Sequence, residues 1–179
     1  VENKYTAGFD ISMGKGGEES SQSVASVWSL TTNTKVAQFN VRDMNPADFA
    51  EYGVAICRFF NNAYMCYEVN GPGNIFGKRV ITDLHYTNVF HRTSENKIGR
   101  PRSQMPGFYT TNETKRLLLM DYFKSLKDNK VINRAEDAVL ECGEYDHFPS
   151  GIIAHCRSQS KNDPAASGVN HGDIVIADA

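Results

Sequence analysis

Apolar and polar residues alternate along the first forty positions, the period of a strand with one buried face. Tyr5, Ala7 and Phe9 predict a strand over Lys4–Ser12. Val24, Ser26, Trp28 and Leu30 predict a second over Ser23–Leu30, and Val36, Phe39 and Val41 a third over Lys35–Val41. The polar link between the last two is short enough for a hairpin. The glycine-rich stretch from Met13 to Ser23 is too short for a crossover helix, so the three strands read as consecutive and antiparallel.

The period then lengthens. Asn45-Pro46 is an N-cap followed by Pro at the first helical position, and Phe49, Tyr52, Ile56, Phe59 and Phe60 recur at helical spacing. A strand over Ala63–Val69 is broken by Asn70-Gly71-Pro72-Gly73, and a helix carries Phe76, Val80 and Leu84. A short strand over Asn88–His91 and a polar, basic stretch from Arg92 to Gly107 follow. Thr110 with Glu113 reads as a capping box for a helix with Leu118, Tyr122 and Leu126 inward. A further helix spans Ala135–Tyr145 with Ala138, Val139 and Cys142 inward; a strand over Gly151–Cys156, a loop and a helix from His171 complete the chain. Three antiparallel strands and then strands joined through helices predict a mixed α/β sheet flanked by helices, with Ala63–Val69 parallel to Lys4–Ser12.

Composition narrows the class. The 179 residues suit one domain, 1–179, and 40% hydrophobic with 22% charged residues excludes a disordered or fibrous chain. No apolar run approaches the roughly 18 residues of a membrane helix, so no membrane partner is expected. The start at Val1-Glu2 without an initiator Met suggests a domain cut from a longer chain. Cys57, Cys66, Cys142 and Cys156 show no metal or redox spacing and read as buried, reduced thiols of a reducing compartment. The net charge of −2 hides a segregated pattern. Between Lys78 and Arg102, six basic residues (Lys78, Arg79, Arg92, Lys97, Arg100 and Arg102) face only Asp83 and Glu95. Lys97, Arg100 and Arg102, with Lys15 in the first turn, are candidate phosphate contacts, and no recognition-helix signature suggests base reading.

Ligands of open α/β sheets bind beyond the carboxyl ends of the strands, where Asp10 and Glu68 fall. Asp10 alone reads equally as the start of an Asx turn, and Asp173 alone as an acid at a helix N-terminus. Glu68, ending an apolar strand, is harder to explain structurally. Carboxylates on parallel neighbours raise each other's pKa unless a cation lies between them. Oxygen donors without His or Cys favour Mg²⁺ or Mn²⁺ over zinc. The turn Met13-Gly14-Lys15-Gly16-Gly17 lacks the spacing of a nucleotide-binding P-loop.

These pieces carry a resemblance. Gly8-Phe9-Asp10-Ile11-Ser12, Tyr67-Glu68-Val69-Asn70-Gly71 and the stretch from His171 to Ala179, in that order, resemble the C-terminal nuclease domain of the large terminase subunit of tailed bacteriophages. Gly107-Phe108-Tyr109-Thr110-Thr111 leading to Lys115 is similar to a helical segment of that family. One departure is Gly172, where the family often has an acid. The resemblance implies an RNase H-like fold and a metal-dependent endonuclease cleaving double-stranded DNA concatemers during packaging. It also implies Asp10, Glu68 and Asp173 as the catalytic, metal-binding acids of a two-metal centre. His171 would orient Asp173, contact phosphate or cap the helix. The implied context is an N-terminal ATPase domain on the same chain, a small terminase subunit, a portal protein and the cytoplasm of an infected host cell. Other RNase H-like enzymes (junction resolvases, transposase cores), a fragment of an actin-like or sugar-kinase fold, and an inactive DNA-binding module are the competing readings.

Overall fold

The computed structural model describes residues 3–17, 20–93, 104–147, 153–156 and 172–179. Its centre is a four-stranded sheet in the order β3-β2-β1-β4, formed by β1 (Tyr5–Asp10), β2 (Ser23–Ser29), β3 (Thr34–Val41) and β4 (Tyr64–Tyr67). β1–β2 and β2–β3 are antiparallel and β1–β4 is parallel, as the alternation and the intervening helix predict. The segments around Val89 and Phe108 lie along the outer side of β4 through parallel bridges to Met65 and Glu68. The expected strand at 88–91 is therefore an edge segment, and β5 proper (His91–Thr93) pairs antiparallel with β6 (Gln104–Pro106).

One face of the sheet is covered by α1 (Pro46–Phe59) and α2 (Gly73–Lys78), which runs on as one wider turn over Arg79–Asp83. Asn45 caps α1 by accepting from Ala47 and Asp48, with Pro46 at the first helical position. Phe9, Phe49, Phe76 and Tyr67 meet there as tilted and edge-on rings. Each such fully buried side chain contributes about 1.5–3 kcal/mol. The opposite face carries α3 (Asn112–Lys127), α4 (Glu136–Cys142) and α5 (Asp173–Asp178), packed through Trp28, Leu119, Tyr122, Ala138 and Val175. With both faces covered, every residue of β2 is buried.

Five expectations need correction. The inward phase of β3 is set by Lys35, which is buried, while Val36 is exposed: the ladder slips between Val27 and Trp28, so Val36 has no partner on β2. The α3 capping box is Thr111 with Thr114, because the backbone of Thr110 is tied at both N–H and C=O to the Asn70 side chain. α4 stops at Cys142, and Tyr145–His147 turns into β7, paired with β8 (Ile153–His155). Its inner face is Ala138 and Glu141, with Val139 and Leu140 outside. All four thiols are free, but Cys156 is exposed.

Candidate functional site

Phe9 lies opposite Tyr67 across the parallel pair, and the Glu68 N–H donates to the Phe9 carbonyl (3.2 Å). Asp10 and Glu68 thus leave their strands on the same carboxyl edge, one strand spacing (about 4.8 Å) apart. The consequence is electrostatic. Burial first, then Asp173, then Glu68 push the Asp10 carboxyl well above the ordinary carboxylate range, and a hydrogen bond to Glu68 adds to the shift. Lys115, one turn into α3, acts in the other direction.

Asp173 comes from the far side of the sheet. α5 crosses β1 so closely that a Cβ on Gly8 would lie 2.1 Å from the Ala177 carbonyl oxygen, so only glycine admits the helix. The Asp173 carboxylate is buried and accepts from the Gln22 N–H (2.8 Å). Gly172 precedes it at φ +76°, and a Cβ there would meet the Tyr145 hydroxyl at 2.1 Å. The space beside the Gly172 Cα is thus filled by Tyr145, whose hydroxyl donates to the Gly172 carbonyl (2.9 Å). α5 has no side-chain cap of its own; Glu141 on α4 supplies one from outside, accepting from the Val175 N–H (2.7 Å). Burial pushes the Glu141 carboxyl up to about 7, against the stabilising N–H of Val175.

At the other end of α5, the Asp178 side chain is fully buried and receives Lys35 Nζ (2.7 Å), the Tyr122 hydroxyl (3.2 Å) and the Asn133 amide (2.8 Å). Ser26 also donates to it. Asp178 therefore holds the helix and takes no part in the acidic centre. Glu144, likewise outside the centre, pairs with the buried His155 (2.6 Å).

Of the residues singled out from sequence, Asp10, Asp173 and Lys15 line one open cleft of about 520 Å³ with Ser12, Gln22 and Pro72. Among the described residues, no three His, Cys, Asp or Glu side chains stand ready to hold one ion as they are. Asp10 and Glu68 share a hydrogen bond, and Asp173 is engaged by Gln22. His171, Lys97, Arg100 and Arg102 lie outside the described residues. Of the other basic residues counted there, Arg79 is paired with Glu51 and Asp83 (2.5 and 3.0 Å), and Arg92 donates to the Pro106 and Gly107 carbonyls. Reading from sequence named Lys115 only as the end of a family-like segment, without a role, and missed Glu141 and the Lys35–Asp178 pair.

No family model matches the chain, and no curated protein matches it in sequence. Solved structures do match. The large terminase nuclease from thermophilic phage G20c, with bound magnesium, superposes with a TM-score of 0.67 at 16% identity, over 98% of this chain and 78% of that one. The fold is that of the large terminase nucleases. The nuclease from the same phage with bound cobalt gives the same TM-score, 0.67, at 16% identity over 98% and 78% of the two chains. The large terminase nuclease domain of Thermus phage P74-26 gives 0.63 at 16% identity, over 98% and 76%. No helix among the described residues is long and apolar enough to cross a membrane.

Proposed function

We propose that this chain is the nuclease domain of a large terminase: a divalent-metal-dependent endonuclease that cuts double-stranded viral DNA concatemers during genome packaging. The observation that carries the reading is the strand-edge pair Asp10–Glu68 with Asp173 beside it, on a fold shared with nucleases solved with magnesium, cobalt and zinc. Three carboxylates held this close repel one another, and Asp10 keeps its proton at a pH where an isolated Asp has lost it. An all-oxygen donor set suits a hard cation.

Asp10, Glu68 and Asp173 would together hold the two ions. Mg²⁺ or Mn²⁺ bound there supplies positive charge that acidifies a water and neutralises the attacked phosphate. The protein's own part is positional. Gly8 and the Asp178 anchor fix α5 against β1, Gln22 aims the Asp173 carboxylate, and the open cleft past Lys15 admits a phosphodiester strand. Hydrolysis joins the water oxygen to phosphorus and breaks the P–O3′ bond; the water's proton passes to solvent, and O3′ takes one up. With Lys97, Arg100 and Arg102 gripping the backbone, recognition would show only weak sequence preference. The setting is the host cytoplasm, with an ATPase domain preceding this one and the small subunit and portal as partners.

Supercoiled plasmid incubated with Mn²⁺, Mg²⁺ or EDTA tests the reading. Nicking and linearisation with either metal, absent in EDTA and in Asp10→Ala, is the expected result. Cutting that persists in Asp10→Ala would remove the acids from the reaction.

A further inference from the structure

Resting on that reading, we propose that Lys115 is a further catalytic residue, whose ammonium contacts a non-bridging oxygen of the scissile phosphate.

The placement follows from α3. Lys115, Leu119 and Tyr122 stand at i, i+4 and i+7 and share one stripe of the helix. The Tyr122 hydroxyl donates to Asp178, at the C-terminal end of α5 (3.2 Å), and Leu119 is buried in the same apolar cluster as Val175, in the middle of α5. The stripe thus runs along α5 from its last residue toward its first, and Lys115 falls at the end where Asp173 sits. The start of α3 is fixed independently. Phe108 bridges to Glu68, and the Asn70 side chain clasps the backbone of Thr110 from both sides (2.8 and 3.0 Å). Leu118, on the neighbouring turn, lines a cavity of about 150 Å³ together with Glu68 and Thr110. Two separate attachments therefore bring this helical face to the acidic centre, and the Asp10 carboxyl senses the Lys115 charge.

Lys115 is half-buried, and among the described residues it forms no ion pair. A cation whose charge reaches the Asp10 carboxyl without closing an ion pair on it is set for an anionic ligand. Among the ligands that reach this edge, a phosphodiester supplies that charge. Lys115 exchanges no proton in the balanced hydrolysis above; it offsets charge that grows on the phosphoryl oxygens in the transition state.

The test compares wild type, Lys115→Met, Lys115→Arg and Asp10→Ala in plasmid cleavage and in the Mn²⁺-dependent rise of melting temperature, with circular dichroism as the check on folding. Lys115→Met is expected to lose cleavage by about a hundredfold, and Lys115→Arg to recover part of it. Mn²⁺ should bind Lys115→Met as well as wild type or more tightly, because a cation facing the metal position has been removed. Cleavage by Lys115→Met within twofold of wild type would overturn the proposal. So would loss of Mn²⁺ binding in step with cleavage in a folded variant, which would make Lys115 a support for Asp10. If wild type itself fails to cut with any metal, the nuclease reading fails, whatever Lys115 does.

Discussion

Lys35 and Asp178 form an ion pair of 2.7 Å with side chains 3% and 0% exposed, joining the start of β3 to the end of the helix that presents Asp173. Tyr122 and Asn133 complete the hydrogen bonding of the carboxylate. Removing one partner of such a pair leaves a buried, uncompensated charge.

Lys35→Met and Asp178→Asn are therefore each expected to destabilise the fold by about 3–5 kcal/mol, measured by urea unfolding. The double variant should lose less than the sum of the two. An additive result would mean that the charges do not depend on each other.

Asp10→Asn should do the opposite in EDTA. Asp10 sits in a folded state that disfavours its charged form, so the amide is expected to raise the melting temperature while abolishing the response to Mn²⁺. A lower melting temperature in EDTA would show that the carboxyl is stabilising as it stands.

Stability without metal should fall as pH rises. Glu141 goes from an ordinary value of 4.5 to about 7 in the folded protein. Between those values the folded state holds more protons than the unfolded one, so the slope is negative. Below 4.5 the stability is fully present; above about 7 it has been lost. The span corresponds to about 3 kcal/mol, with Asp10 adding in the same sense. Glu141→Gln should flatten the profile in chemical unfolding from pH 4 to pH 8, and an unchanged slope would assign it to other groups.

Gly172→Ala forces a side chain into a left-handed turn already covered by Tyr145. The backbone alone costs upwards of about 1 kcal/mol, and moving the Tyr145 ring adds to it. Thermal unfolding should show the loss, with cleavage falling more than stability because Asp173 is the next residue. An unaffected variant would mean the turn has another conformation.

Arg100→Ala with Arg102→Ala should weaken DNA binding and flatten its dependence on salt by about 0.9 per lost phosphate contact on a log–log plot. An unchanged slope, read by fluorescence anisotropy across a salt series, would take this segment out of the DNA path.

Much of this was legible in the chain. The period-two alternation gave β1 and β2, and Asn45-Pro46 marked α1 because a cap and a fixed φ act locally. Asp10 and Glu68 could be paired beforehand, since a strand–helix–strand crossover makes their strands parallel neighbours. What escaped was set by distant contacts. Lys35 is inward only because the β2–β3 ladder slips beside Trp28, and a slip of one residue reverses every side chain's face. Glu141 faces inward over the more apolar Val139 and Leu140 because the unsatisfied N–H groups of α5 lie on its side. Lys115 was visible only as the end of the segment that starts at Gly107; that its charge reaches Asp10 depends on α3 lying against α5.

The Asp173–Gln22 hydrogen bond links positions 151 residues apart, so the first acid of the centre is synthesised long before the last can join it. A ribosome that has released β1 through β4 has produced a sheet with two acids and no helix lying across Gly8. On the proposed reading, the domain emerges unarmed. Its ability to cut DNA arrives only when the helix beginning at Asp173 closes over the first strand.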